Sequence, residues 1–350
     1  MKDAVIINGT SIGPGHPVYI VAELSANHGQ DFDRACETIR AMKDAGADAV
    51  KLQTYTPDTM TIDCDRPEFR VGKGSLWEGR TLYELYGEAF TPWEWQPKLK
   101  ELAEELGMDC FSTPFDATAV DFLERTGMPA YKIASFEVVD LPLIERTART
   151  GKPLIISTGM ATEQEIREAV DCARRSGNGH IVLLKCTSAY PAAPDEMNLR
   201  TIPDMAQRFN VPVGLSDHSL SPTVPATAVA LGACLIEKHF CLSRKEKGPD
   251  TAFSLEPQEF RTMVDAVRMT ERALGSVSYT PGAKEKTSLT FRRSLFVVED
   301  IAGGETFTER NIRSIRPSHG LPPKEITQVI GRRAKKALKK GTPLSWEDVG

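Results

Sequence analysis

VYIVAE at 18–23, an amphipathic stretch at 32–45 and DAVKLQ at 48–53 spell a strand, a helix and a second strand. A strand, a crossover helix and another strand make one βα repeat of a parallel sheet. The pattern recurs at 109–113 (DCFST), 130–135 (AYKIAS), 153–158 (PLIIST), 181–187 (IVLLKCT), 211–216 (VPVGLS) and 234–239 (CLIEKH). With the first two runs this gives eight strands, the number that closes a barrel, so the fold predicted is α/β, a (β/α)8 TIM barrel. Helical periodicity fills the intervals at 92–106, 161–175 and 257–273, the last stopping at Gly275 as a helix C-terminus does.

Working outward, residues 54–80 form the longest interval without regular pattern, and it follows the second strand. A loop of that length is functional or disordered as a rule, and one place for it here is folded over the barrel mouth. Beyond Gly275 the segment 276–290 is poor in apolar residues and reads as a linker. Residues 291–350 carry short β-like runs (RSLFVV, TFT, IRSIRP) between Gly and Pro turns, with helical pieces near 308–311 and 322–330. The division predicted is a barrel at 1–275, a linker at 276–290 and a small β-rich domain at 291–350.

The chain has 350 residues, 41% hydrophobic and 26% charged, a composition able to bury a core without disulfides. A net charge of −5 and a pI near 5.8 offer no field for nucleic acid or an anionic membrane. The basic run RRAKKALKK at 332–340 reads as a solvated face. Neither a secretory leader nor an apolar run of membrane-spanning length is present, which places the expectation in the cytoplasm. Seven cysteines are scattered without a CxxC pair, and no chemistry is assigned to them. No GxGxxG, P-loop, HExxH or GxSxG elbow stands out, which sets aside the common nucleotide, zinc-protease and acyl-transfer readings.

In a βα barrel the working residues sit at the C-terminal ends of the strands. Polar residues interrupt the apolar runs there: Glu23, Lys51 with Gln53, Thr113, Lys132 with Ser135, Ser157, Lys185 with Thr187 and Ser188, Ser216 with Asp217 and His218, then Glu237, Lys238 and His239. One Ser or Thr at a strand end is ordinarily a cap or turn residue; recurrence on nearly every strand points to a ligand. Lysines inside apolar runs need an anion. Lys51 and Lys132 with neighbouring hydroxyls suit a ligand bearing phosphate and carboxylate, and the plainer alternative is an internal salt bridge to Glu23. His218 and His239, on adjacent strands, predict an open divalent-metal site completed by water and substrate oxygens. Asp250, in GPDTAFS, reads equally as a turn residue or as a carboxylate for substrate or metal.

At these residues the sequence resembles the sialic acid synthase family: AELSANH (22–28), GADAVKLQTYTPD (46–58), FSTPFD (111–116), YKIASFE (131–137), STGMAT (157–162), KCTSAYP (185–191), GLSDHS (214–219), EKHF (237–240) and GPDTAFSLEP (248–257). RRSLFVVEDIAGGETFTERNIRSIRPSHG (292–320) resembles that family's antifreeze-like (SAF, β-clip) domain, so the likeness spans nearly the whole chain. ELSANH, the YTPD after KLQT, and KGSLWEGRTLYELY (73–86) are similar to the branch that makes pseudaminic acid; members making N-acetylneuraminate more often carry an EIGxNH-like segment at the first of these.

The resemblance implies condensation of phosphoenolpyruvate with an amino-sugar aldehyde. It implies phosphoenolpyruvate contacts from Lys51, Lys132, Ser135, Ser157, Ser188 and Ser216, with Thr113 also lining the substrate site. Some relatives carry Asn where this chain has Ser188. It further implies a divalent metal, manganese first and cobalt or magnesium next, on His218 and His239, and a sugar facing Glu23, Gln53, Tyr190 and Asp250. Glu23 is the candidate for proton transfer. Arg316, in IRPSHG, would reach the barrel of the partner in a domain-exchanged homodimer. Rival expectations are an N-acetylneuraminate or legionaminate synthase of the same family, a metal-free Schiff-base aldolase using a lysine, and a non-enzymatic binding protein suggested by the antifreeze-like tail.

Overall fold

The computed structural model describes residues 4–72 and 77–350. The chain divides into two compact units, Met1–Gly275 and Ser276–Gly350.

The first unit opens with a hairpin, β1 (Val5–Ile7) paired antiparallel to β2 (Thr10–Ile12). Eight parallel strands then close into a barrel: β3 (Tyr19–Glu23), β4 (Ala49–Thr54), β5 (Asp109–Pro114), β6 (Tyr131–Ile133), β7 (Leu154–Ser157), β8 (Ile181–Cys186), β9 (Val213–Asp217) and β10 (Leu235–His239). Each of the eight predicted runs overlaps one of them, and β4, β5 and β9 extend one residue past the predicted end. The hairpin was not foreseen, because three-residue strands are too short for a period-two signal to register. GTSIG at 9–13 does spell GxSxG, but it runs from the hairpin turn into β2 and forms no strand-to-helix elbow.

Side chains alternate along every strand, one set facing the helices and one the barrel axis. Outward residues such as Ile20, Val50, Leu52, Ile133, Ile156 and Leu183 pack with the helices in one large apolar cluster. Each such buried Ile or Leu contributes roughly 2 kcal/mol. Inward residues form a second cluster, in which Tyr19, Val21, Phe111, Ile155, Val182 and Leu235 pack with Val5, Ile7 and Ile12 of the hairpin. Apolar packing therefore fills the lower barrel, and the hairpin seats on its N-terminal end. Asp109 ties the two together, accepting hydrogen bonds from Tyr19 Oη (2.6 Å) and Asn8 Nδ2 (2.9 Å).

The helices start where local chemistry stops a strand. Asp31 caps Phe32–Asp44, Asp116 caps Ala117–Arg125, and Thr162 with Glu165 forms a capping box on Glu163–Arg175. Pro257–Leu274 ends at Gly275, whose φ of 48° suits a glycine. The stretch 54–80 is not structureless throughout: it holds a short helix, Pro57–Met60, and a 3-10 turn, Pro67–Phe69. Residues 73–76 of KGSLWEGRTLYELY lie outside the described residues, while Leu82–Ala89 is helical.

In the second unit, β11 (Ser294–Val297) pairs antiparallel with β12 (Ile312–Ile315), and Leu295, Val297, Phe307, Ile312, Leu338 and Leu344 build its core. Gly320 approaches so closely that any Cβ there would overlap the Leu295 carbonyl oxygen. Two expectations are corrected. The linker 276–290 contains a helix, Ala283–Ser288. Residues 308–311 form a turn rather than a helix, because the Asn311 side chain accepts the Thr308 amide at 2.7 Å and holds the chain folded back. Residues 323–329 are helical, first as a 3-10 turn and then as an α-turn. In 332–340 Ala334 and Leu338 point inward while the arginines and lysines are exposed, the solvated face expected of that run.

Candidate active site

The alternation that fills the lower barrel with apolar groups places a polar layer above it. Parallel register sets Glu23 beside Lys51 on one side and His239 on the other. Lys51 Nζ lies 3.0 Å from Glu23 Oε2 and 2.8 Å from Glu237 Oε1, and Lys132 Nζ lies 3.2 Å from the same Glu237 oxygen. Ser216 Oγ donates to that oxygen at 2.9 Å. His239 Nε2 lies 3.1 Å from Glu23 Oε2, and Gln53 Nε2 donates to Glu23 Oε1 at 2.7 Å. The internal salt bridge to Glu23 is therefore present, with Glu237 as a second anion between the lysines.

Burial raises the Glu23 carboxyl, but His239, Lys51, Lys132 and the Gln53 hydrogen bond overcome it and hold the group well below the carboxylate range. For Lys51, burial works downward and the two glutamates more than reverse it, so it stays charged. Lys132 ends below its ordinary value, because burial and the Lys51 charge outweigh Glu237.

On the opposite rim, Ser135 Oγ accepts the Gly159 amide at 3.1 Å. A Cβ at Gly159 would overlap Ser188 Oγ and stand 2.7 Å from Ser135 Oγ, so these three residues frame a cradle that a methyl group would fill. Thr113 Oγ1, Ser157 Oγ, Glu237 Oε2 and His239 Nδ1 are buried without a hydrogen-bond partner among the described residues, and all four belong to this layer. Buried polar atoms without partners mark where a polar ligand is to be met.

Aromatic groups wall the mouth. Tyr190 stacks against His218 (ring centroids 4.5 Å) and Phe253 (4.8 Å), and His218 and His239 lie 5.4 Å apart. Trp77, in the loop after β4, donates its indole N–H to the Pro249 carbonyl at 2.9 Å and lies 6.1 Å from Tyr190. That loop therefore does reach the mouth. Asp250 is bonded to Ser25 there, and Ser25 Oγ also accepts from Gln53 at 3.0 Å.

The two imidazoles fit a divalent cation. His218 Nδ1 faces the Thr187 carbonyl at 3.0 Å; a carbonyl only accepts, so Nδ1 carries a proton and Nε2 is the nitrogen left to meet a cation. His239 is pushed below its ordinary value, first by burial, and has a second nitrogen without a partner. Among the described residues no three His, Cys, Asp or Glu side chains converge as a metal cage, so two imidazoles would leave most positions to water and substrate.

Glu23, Lys51, Gln53, Thr113, Lys132, Ser135, Ser157, Ser188, Tyr190, Ser216, His218, His239 and Asp250 thus gather at one end of the barrel. Arg316 belongs to the second unit and stands exposed just after β12. Lys238 does not join the mouth: it faces the helices, fully buried against Asp217 at 2.6 Å. Three further residues do join it. Glu237 is signalled by alternation, since EKH must aim its first and third residues the same way. Glu137, whose carboxyl is pushed up to about 7 chiefly by burial and partly restrained by Lys132, lies in the YKIASFE turn. Ser25 carries no sequence signal, because its role depends on backbone conformation. A crevice of about 710 Å³ opens at the other, N-terminal end, where Asp48 pairs with Arg268 and Lys43 reaches the Gly107 carbonyl.

The model of the NeuB family matches residues 38–279, and that of the SAF domain matches residues 292–350. The pseudaminic acid synthase of Helicobacter pylori is 47% identical over 335 residues, covering 95% of this chain and 98% of the relative. An N,N'-diacetyllegionaminic acid synthase of Legionella pneumophila is 37% identical, covering 96% of each chain. Among solved structures, the N-acetylneuraminic acid synthetase of Leptospira borgpetersenii superposes with a TM-score of 0.73 at 31% identity, covering 83% of this chain and 96% of that one.

Proposed function

Because this chain belongs to the NeuB family and carries a SAF domain, we propose that it condenses phosphoenolpyruvate with 2,4-diacetamido-2,4,6-trideoxy-L-altrose and water, giving pseudaminic acid and phosphate. The observation carrying this reading is the polar layer itself: two buried lysines, a hydroxyl cradle and four unpartnered polar atoms above a filled lower barrel.

In this reading Lys51 and Lys132 hold the anionic groups of phosphoenolpyruvate, and Ser135, Ser157, Ser188, Ser216 and Thr113 offer it hydroxyl contacts. Gln53, Tyr190 and Asp250 orient the sugar. The methylene carbon of phosphoenolpyruvate bonds to the aldehyde carbon, water adds to the former enol carbon, and the bond from that carbon to the phosphate oxygen breaks. A divalent metal on His218 and His239, manganese before cobalt or magnesium, would supply Lewis-acid polarisation of the sugar carbonyl. Glu23, held as an anion by His239 and Lys51, would take part in proton transfer by accepting a proton rather than by supplying one. Glu137, near neutrality, is the better proton donor to the departing phosphate.

We also propose a homodimer in which Arg316 enters the partner's site. Phe136, Val139, Met160 and Leu220 are exposed on the loops after β6, β7 and β9, a rim that asks for a cover, and the second unit is net basic. No helix among the described residues is long and apolar enough to cross a membrane, and we place the enzyme in the cytoplasm.

The test is phosphate release from phosphoenolpyruvate with manganese, comparing the trideoxy sugar with N-acetylmannosamine. Preference for the former is expected; preference for N-acetylmannosamine moves the reading to a sialate synthase of the same family. Exhaustive chelation should abolish release, and manganese should restore it. Lys132, lowered by burial, is the lysine suited to a Schiff base. Borohydride with pyruvate should nonetheless leave the protein unmodified; covalent trapping would favour an aldolase.

A further inference from the structure

Ser25 follows the end of β3, at the edge of the mouth, and adopts φ = 48°. This is the left-handed region, which glycine enters freely and which disfavours a residue with a Cβ. A non-glycine residue in that conformation is retained where the surrounding structure over-determines it, commonly at functional sites. Ser25 is 1% exposed, so solvent contact does not account for its hydroxyl.

That hydroxyl has two partners. It accepts a hydrogen bond from Gln53 Nε2 at 3.0 Å and donates to the Asp250 carboxylate. Gln53 uses the same amide nitrogen to hold Glu23 Oε1 at 2.7 Å. Asp250 sits in the loop after β10, and β3 lies between β10 and β4, so one hydroxyl just past β3 joins the loop of one neighbouring strand to Gln53 of the other and, through Gln53, to Glu23. Removing it would leave Asp250 and Gln53 without their mutual link, while the backbone at residue 25 would still hold a Cβ in a conformation that disfavours one.

We propose that Ser25 is a positioning residue for the amino-sugar acceptor. Its hydroxyl fixes Asp250 and Gln53 in the orientation that recognises the polar substituents of an open-chain, acylated amino sugar. This inference rests on the proposed placement of the sugar at the barrel mouth.

Two substitutions separate this role from a structural one. Ser25→Ala keeps the Cβ and removes the hydroxyl; Ser25→Gly removes both. Both variants are expected to share a kinetic defect, an acceptor kcat/KM lowered about 10- to 100-fold, the loss associated with a hydrogen bond to a charged group, with phosphoenolpyruvate KM changed less than about twofold. Their melting temperatures should differ: Ser25→Gly should melt within about 2 °C of the unaltered enzyme, and Ser25→Ala below it. The kinetic defect thus follows the hydroxyl, and the difference in melting temperature between the two variants follows the Cβ. Unchanged acceptor kinetics in both variants, with the unaltered enzyme active, would overturn the inference alone. An equal loss for acceptor and phosphoenolpyruvate, together with a large melting decrease in Ser25→Gly, would assign Ser25 a structural role instead. Failure of the unaltered enzyme to release phosphate with every amino-sugar acceptor would overturn the synthase reading and this inference together.

Discussion

Lys238 Nζ lies 2.6 Å from Asp217 Oδ2, both side chains wholly buried on the outer face of the barrel, one residue before His239 and His218. Asp217 also accepts the Ser219 amide (2.9 Å) and hydroxyl (3.0 Å), and Lys238 donates to the Ser219 carbonyl. The pair thereby fastens the turn after β9 to β10. Removing one partner leaves a charge buried alone, so Lys238→Met should lower unfolding free energy by about 3–5 kcal/mol. The double variant Asp217→Leu with Lys238→Met should recover much of that loss, since it strands no charge. Denaturant titration of the three proteins provides the check; equal stability of the single and double variants would contradict the account.

Glu137 sets a pH dependence. Its carboxyl is raised to about 7, so it carries its proton below that value and loses it above. If it delivers a proton, turnover should fall on the alkaline side by about tenfold per pH unit beyond its apparent value. Glu137→Gln cannot supply a proton. It should lower the maximum rate and flatten that limb, which a pH profile of kcat measures directly.

The cradle at Gly159 should reject a methyl group. Gly159→Ala would press against Ser188 and Ser135 in the space assigned to phosphoenolpyruvate. Its KM for phosphoenolpyruvate should rise more than about tenfold, with the acceptor KM little altered. Steady-state kinetics with each substrate varied in turn would show whether the two respond separately.

Complementation tests the placement of Arg316 in a partner's site. Chains bearing His218→Ala and chains bearing Arg316→Ala should each be inactive alone. Unfolded together and refolded as a random mixture, they should regain about a quarter of normal activity, because half the dimers would then carry one intact site of two. No recovery would show that Arg316 acts, if at all, within its own chain.

The barrel was legible because its strands are apolar runs placed between helices of ordinary length, and polar strand ends announced the mouth. Side-chain direction was less legible: EKH offers three polar residues, but alternation sends Glu237 and His239 inward and Lys238 out. The lysines were correctly marked as needing an anion, although Glu237 as their shared partner emerges only when β10 is set beside β3 and β9. Ser25 could not be singled out, since a left-handed φ is a property of the folded backbone. The hairpin escaped notice for the same kind of reason: its two short strands acquire meaning only by covering the barrel's lower end.

That hairpin has a consequence for traffic. With the floor filled by Val5, Ile7, Ile12 and the apolar layer above them, the barrel is, among the described residues, a sac that opens where its strands end. In the proposed reading, the floor would give phosphoenolpyruvate, sugar and products one shared route, set by a pair of three-residue strands at the opposite end of the barrel.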